Sequence, residues 1–225
     1  MTKIMTASGR YIFCDIDGTL LHARGSGRLA FGSAFYEAYG VPVDMEHINF
    51  SGATDIRVLE QLVRESGLDM DVEKTQHFFE LLPSYLDRNM DRYPPVVFPG
   101  VDRFLRRVYG KWNLALVTGN IRECAYLKLK HGGLEHYFSD IGGFGDDDGS
   151  RNRMAALALE RAGCPEGSFL LGDTPSDIEA ARVNGMVSVA VCNGQFDRAM
   201  LESEQPDILV DSFEDAEHLF QALEV

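Results

Sequence analysis

Five short apolar runs, at 11–15, 112–118, 168–172, 187–191 and 207–211, constrain the fold of this chain more than any other feature. Each is nearly continuous in apolar, partly β-branched residues and lacks a polar alternation. A strand with one wet face alternates. A strand buried on both faces does not, and that is the habit of parallel sheets covered by helices. Helical patterns stand between the runs. Val101, Phe104, Leu105 and Val108 fall at i, i+3, i+4 and i+7, and Gly110 follows where helices stop. Met154, Leu157 and Ala158 begin a similar face that ends at Gly163, and another helix is expected over 176–184 before Gly185. This alternation predicts an α/β fold with a doubly wound parallel sheet.

Residues 22–95 break the rhythm and read as helical throughout. Phe31, Ala34, Phe35 and Ala38 form one stripe, closed by Gly40. Ile56, Leu59, Leu62 and Val63 form a second that ends near Gly67. Val72, Phe79, Leu82 and Leu86 form a third, with Pro83 as a point of kinking. Flexible Arg24-Gly25-Ser26-Gly27 and stiff Tyr93-Pro94-Pro95 flank the block. The expected organisation is a core made of 1–21 and 96–225, with 22–95 inserted as a helical domain and the two crossings serving as hinges.

A chain of 225 residues suits one large α/β domain, or a core with a modest insert. Its net charge of −14 comes without a Lys/Arg run, which argues against nucleic acid or an anionic membrane as a partner. An anionic substrate would need a local cationic pocket or a metal. No segment approaches the ~20 apolar residues of a membrane span, and residues 1–8 contain no signal-like apolar stretch. Cys14, Cys124, Cys164 and Cys192 lie far apart without a CxxC pair, so reduced thiols in a cytoplasmic protein are expected.

Chemistry-bearing residues gather where the strands should end. Asp15 and Asp17 close the first run, and in extended backbone residues i and i+2 share a side. Gly18 then permits a sharp turn. Two such carboxylates suit a metal ion, or a nucleophile beside an acid/base group. The second run ends in Thr118-Gly119-Asn120, whose N–H groups could face an anion. Arg151 and Arg153 stand at the start of a helix, and Gly172-Asp173-Thr174-Pro175-Ser176-Asp177 ends the third run with two acids.

Taken in order, Asp-x-Asp-Gly-Thr-Leu, Thr-Gly-Asn, a basic residue and Gly-Asp-x-x-x-Asp resemble the motifs of the haloacid dehalogenase superfamily, on its phosphatase side. Over nearly its whole length the chain is similar to phosphoglycolate-phosphatase-like hydrolases, which carry a helical cap between the first and second motifs. The resemblance implies a Rossmann-like core, Mg2+ as cofactor and a small phosphorylated metabolite as substrate. It implies that Asp15 is the nucleophile, and that Asp17 is the acid/base group and offers its backbone carbonyl to the metal. Thr118, Gly119 and Asn120 would hold the phosphoryl oxygens, Asp173 would complete the metal site, and Asp177 would bind a metal water or orient the third-motif cation.

The family's third motif usually carries lysine, and Gly145 to Met154 contains none. Arg151 is expected in that role, with Arg153 the alternative. A dehalogenase would not use Asp17, and a phosphonate hydrolase would want a cap lysine where the only lysine of 22–95 is Lys74. A sugar phosphomutase and a non-catalytic phospho-ligand-binding protein remain alternatives.

Several weaker features are read more plainly. Ser51 to Asp55 resembles the family's substrate-facing segment, or else serves as a helix start with Thr54 or Asp55 as the cap. Arg24, Arg28 and Arg57 face the site or solvent. Asp146-Asp147-Asp148-Gly149 lacks the ligand spacing of a calcium loop and is expected to be solvated. His22, His47 and His77 match no metal spacing, and Trp112 is expected in the core. A monomer is the default, with a dimer possible.

Overall fold

The computed structural model describes residues 9–215 and 217–224. Residues 1–8, which bear on targeting, lie outside the described residues. The elements run β1 (Tyr11–Cys14), β2 (Leu21–His22), α1 (Ser26–Tyr39), α2 (Asp55–Glu65), α3 (Val72–Arg92), β3 (Val96–Val97) and α4 (Val101–Val108). They continue with β4 (Asn113–Val117), α5 (Arg122–His131), β5 (Gly142–Gly143), α6 (Arg151–Arg161), β6 (Phe169–Gly172) and α7 (Pro175–Val183). β7 (Val187–Val191), α8 (Arg198–Ser203), β8 (Ile208–Val210) and α9 (Glu217–Ala222) complete the chain.

The main sheet is six-stranded in the order β5-β4-β1-β6-β7-β8, and every pairing is parallel. The five apolar runs form β1, β4, β6, β7 and β8. Alternate side chains of each run supply opposite faces. Ile12, Cys14, Leu114 and Leu116 join α4, α5 and α9 in one core. Tyr11, Phe13, Ala115 and Val117 join α6 and α7 in another. Helices therefore cover both faces, which is why neither face of these strands tolerates a polar alternation. The architecture is the Rossmann-like, doubly wound α/β core that the sequence predicts.

The chain leaves β1 for β4 and β5 on one side, then returns to β6 on the other. The order reverses around β1, and open α/β sheets hold ligands outside the carboxyl ends of strands at such a switch point. Asp15, Thr118 and Asp173 each follow directly at or just beyond the ends of β1, β4 and β6.

α1, α2 and α3 share a separate apolar core around Phe35, Leu59 and Phe78, with Ile121, just before α5, and Cys124 of α5 reaching in. Phe31 and Phe78 meet edge to face at 5.2 Å, a geometry worth about 0.5–1.5 kcal/mol beyond area burial. The crossings differ in two ways from the sequence reading. Leu21–His22 and Val96–Val97 pair as a small antiparallel ribbon, so the crossings run side by side. Ser26 and Gly27 belong to α1 rather than to a flexible link, and Ser26 Oγ donates to Tyr93 O at 3.1 Å. The third helix runs unbroken through Pro83. Trp112 is buried, and its indole N–H donates to Leu223 O at 3.2 Å.

Candidate active site

Strand β1 stops at Cys14, so Asp15 and Asp17 stand on the loop beyond it rather than on the strand. Asp15 is still tied to the sheet, since its N–H donates to Leu171 O at 2.9 Å. Gly18 follows with φ 81°, and a Cβ there would lie 2.3 Å from Asp173 Oδ2. A glycine is needed on both counts: the backbone is left-handed and the Asp173 carboxylate fills the space.

Asp15, Asp173 and Asp177 bring carboxylate oxygens within 4.8 Å of one another, all buried. Arg151 reaches this cluster from the first turn of α6. Its Nη1 donates to Asp15 Oδ1 at 3.1 Å and to Val117 O at 3.0 Å, and its Nε lies 3.4 Å from Asp177 Oδ1. Arg153, two residues on, is exposed. Asp177 is not an exposed first-turn acid: it is 1% exposed and forms a capping box with Thr174 at the start of α7. Thr174 N–H and Oγ1–H both donate to Asp177 Oδ2, at 3.2 and 2.7 Å, which leaves Oδ1 without a hydrogen bond.

Burial dominates the electrostatics. It raises the Asp15 carboxyl above the ordinary range, Arg151 pulls the other way, and Asp177 and Asp17 push it up again. Burial also raises Asp173, reinforced by Asp15 and Asp177 and opposed by the Thr19 hydroxyl, which donates to Asp173 Oδ1 at 2.9 Å. One guanidinium thus faces three buried acids. Hard oxygen ligands, excess negative charge and an unbonded Asp177 oxygen fit a small divalent cation such as Mg2+. The Asp17 carboxylate stands apart from this cluster.

A second polar group surrounds Asp17. Asn120 Nδ2 donates to Asp17 Oδ2 and to Thr118 Oγ1, both at 2.8 Å. Lys128 Nζ donates to Asp17 Oδ2 at 2.5 Å and to Asn120 Oδ1 at 2.6 Å. Burial works against the Lys128 ammonium, yet Asp17 and Asp55 outweigh it and raise its pKa. Lys128 is not singled out as a site residue by the sequence, and Asp55 enters there only as the end of the Ser51 to Asp55 segment, substrate-facing or a helix start. Lys128 sits in Leu-Lys-Leu-Lys-His, where a lysine ordinarily points to water. The available signal was its place on the buried stripe Cys124, Ala125, Lys128, Leu129.

Asp55 opens α2 from the inserted helices, with Thr54 as its N-cap. It also grips the second motif: Ile121 N–H donates to Asp55 Oδ2 at 2.7 Å, and Asp55 N–H donates to Gly119 O at 2.8 Å. Burial, partly offset by Lys128 and the Ile121 N–H, pushes Asp55 up to about 7. A Cβ at Gly119 would stand 2.0 Å from Ala53 O, so only glycine admits this approach. Beneath it lies a cavity of about 450 Å³, lined by Asp15, Asp17, Phe31, Phe50, Lys128 and Arg151 among others.

The remaining sequence candidates divide. Arg28 donates to Met45 O and, at 2.9 Å, to Ile48 O while its guanidinium lies over Phe50, so it braces the cavity wall. Arg24 lines the cavity with φ 52°. Arg57 pairs with Glu60 on the surface. His47 and His77 face Glu65 and Glu80, and His22 Nδ1 accepts from Arg24 N–H. The 146–149 segment is a turn with Asp146 exposed, as a solvated loop should be, and it is pinned in place: Asp146 and Asp148 accept from the backbone N–H groups of Arg122 and Ser150, and Asp147 binds Arg161. All four cysteines are free, Cys14 and Cys124 among them buried.

The sequence matches the haloacid dehalogenase-like hydrolases over residues 11–191. The chain belongs to that family. It is 28% identical over 135 residues to the probable phosphatase IndB of Dickeya dadantii, covering 57% of this chain and 58% of that protein, so the match spans under two thirds of the relative. It is 27% identical over 208 residues to a phosphoglycolate phosphatase of Pectobacterium atrosepticum, covering 89% of this chain and 88% of the relative. Its fold is similar to that of a hydrolase from Pseudomonas syringae, with a TM-score of 0.72, 23% identity, and coverage of 94% and 98% of the two chains. Within the family the chain falls with the phosphatases, enzymes that hydrolyse phosphate esters. Among the described residues no helix is long and apolar enough to cross a membrane.

Proposed function

We propose that the protein is a Mg2+-dependent phosphatase that hydrolyses a small phosphorylated metabolite through a phosphoryl-aspartate at Asp15. The observation that carries this reading is the convergence of Asp15, Arg151 and Asp173 at the switch point of the sheet. Asp15 attacks phosphorus, forming a carboxylate–phosphorus bond as the bond to the leaving oxygen breaks. Asp17 gives that oxygen its proton. The Asp17 carboxylate then takes a proton from water as the water oxygen attacks phosphorus. The Asp15–phosphorus bond breaks, and inorganic phosphate leaves.

Phosphoryl transfer depends chiefly on positioning and charge stabilisation. Arg151 holds Asp15 Oδ1 and brings a permanent positive charge to the transferring group. Thr118 Oγ1 accepts from the Asn120 side chain and, at 3.4 Å, from the Asn120 N–H, so its own O–H remains to donate to a phosphoryl oxygen, with the Gly119 N–H beside it. The Asp15, Asp173 and Asp177 carboxylates, with the Asp17 carbonyl, would hold Mg2+. Such an ion lowers the repulsion between an anionic nucleophile and an anionic phosphate.

Residues 22–95 act in this reading as a cap over the core of 1–21 and 96–225, and the cavity wall from α1 and 50–55 selects the substrate. The cavity suits a small ester, and the Pectobacterium relative makes phosphoglycolate the first compound to try. The test is phosphate release from p-nitrophenyl phosphate and a metabolite panel, with Mg2+ or EDTA, for wild type and Asp15→Asn. Mg2+-dependent release that vanishes in the variant supports the reading. Isomer formation without phosphate would point to a mutase, and a Mg2+-dependent thermal shift without turnover to a binding protein.

A further inference from the structure

Lys128 has no task in the phosphatase reading, yet it occupies the centre of the site. Its side chain is 8% exposed, whereas that of Asp17 is 40% exposed. A buried ammonium is costly unless it is paired and hydrogen-bonded, so its depth calls for a compensating interaction. Lys128, Asp17 and Asn120 close a ring of hydrogen bonds: Nζ to Asp17 Oδ2, Nζ to Asn120 Oδ1, and Asn120 Nδ2 to the same Asp17 Oδ2. Both donors fall on Oδ2, and among the described residues Asp17 Oδ1 receives no side-chain donor. The position of Nζ is fixed from several directions. It lies beneath α1, where a Cβ at Gly27 would come within 3.9 Å, and Asp55 at the start of α2 acts on it electrostatically.

We propose that Lys128 is a positioning residue: with Asn120 it clamps Oδ2 of Asp17 and so presents Oδ1 to the leaving-group oxygen of the substrate. This rests on the phosphatase reading of Asp17. All three members of the ring belong to the core segments, and α1 and the start of α2 cover Nζ from the side of the inserted helices.

The clamp matters most where the departing oxygen needs a proton. An alkoxide does, whereas p-nitrophenolate leaves as a stable anion. The experiment measures kcat and KM for wild type, Lys128→Met and Lys128→Arg with Mg2+, on p-nitrophenyl phosphate and on β-glycerol phosphate as the alkyl ester. In Lys128→Met, kcat/KM, which reports phosphoryl transfer to Asp15, should fall by about a hundredfold for the alkyl ester, at least about tenfold more than for the aryl ester, within the range general acid catalysis supplies. Hydrolysis of the phosphoryl-aspartate also uses Asp17 and is common to both esters, so a fall in kcat shared by both is expected, and Lys128→Arg, which restores a cationic donor, should recover part of the alkyl kcat/KM. Asn120→Ala removes the other clamp and should show the same alkyl-over-aryl bias, which keeps the test open if Lys128→Met does not fold. Equal losses of kcat/KM on both esters in folded variants would mean a structural or substrate-binding role, and a larger loss on the aryl ester would mean a contact unrelated to leaving-group protonation. Either result, or unchanged kinetics, overturns the inference. A wild type that releases phosphate from neither ester nor from any member of the metabolite panel would instead defeat the phosphatase reading itself.

Discussion

Arg151 and Arg153 stand two residues apart on one helix, and their surroundings give them different fates. Arg151 is buried against Asp15 and Asp177, whereas Arg153 faces solvent. Removing one partner of a buried ion pair strands the other, at a cost of about 3–5 kcal/mol, while an exposed substitution away from special features costs within about 0.5 kcal/mol. Arg151→Ala should therefore lower both stability in denaturant titration and kcat, the latter by at least about a hundredfold. Arg153→Ala should alter neither; the opposite ranking would move the third-motif role to Arg153. Asp55 gives a pH signature. The folded chain keeps its proton up to about pH 7, whereas an unfolded chain releases it near pH 4. Between those values the folded state binds more protons, so Asp55 makes stability fall as pH rises, by on the order of 4 kcal/mol at most. Thermal unfolding of Asp55→Asn from pH 4 to 7 should show a flatter profile than wild type, and a steeper one would contradict the assignment.

The elements were legible where one physical cause dominated. Continuous apolar runs marked β1, β4, β6, β7 and β8 because burial on both faces leaves no room for polar residues. β5 was invisible because Gly142 and Gly143 carry no side chains to form a pattern, and the β2–β3 ribbon because its strands are only two residues long. The acids at strand ends were legible as a set, since apolar strands rarely close on carboxylates without a partner. Lys128 was not, because a lysine in a helix has an ordinary explanation, and Asp55 was legible only as the end of a segment that either faces substrate or starts a helix. Only the fold shows that α5 and the start of α2 meet over Asp17. That meeting is tight at one point. Gly119→Ala would force a Cβ into Ala53 O, which is backbone and cannot rotate away. The variant should lose phosphatase activity by about tenfold or more through displacement of the 51–55 segment, following the sensitivity of catalysis to small misplacements. Activity equal to wild type would show that the segment is not needed where it sits.

For the molecule as a whole, the proposed activity asks an acidic chain to handle an anionic ester, and the cavity gathers Lys128 and Arg151 beside a buried cluster of carboxylates that could hold a metal. The buried Asp15 and Asp173 are a liability without a divalent ion, because burial and the neighbouring carboxylates disfavour the charged form of both. Mg2+ should therefore raise the unfolding temperature, by an amount that grows from pH 5.5 to 8 as the acids ionise. A shift that is absent, or equal in Asp173→Asn, would argue against that site. The central claim is a covalent phosphoryl-aspartate at Asp15, and trapping it is the decisive measurement. Asp17→Asn should still accept the phosphoryl group from p-nitrophenyl phosphate, whose leaving group needs no proton, but should hydrolyse the intermediate slowly. Peptide mass spectrometry after acid quenching should then find one added phosphoryl group on Asp15 when Mg2+ is present, and none in Asp15→Asn. Phosphate release at the wild-type rate by Asp15→Asn, or a phosphoryl group on another residue, would contradict the account.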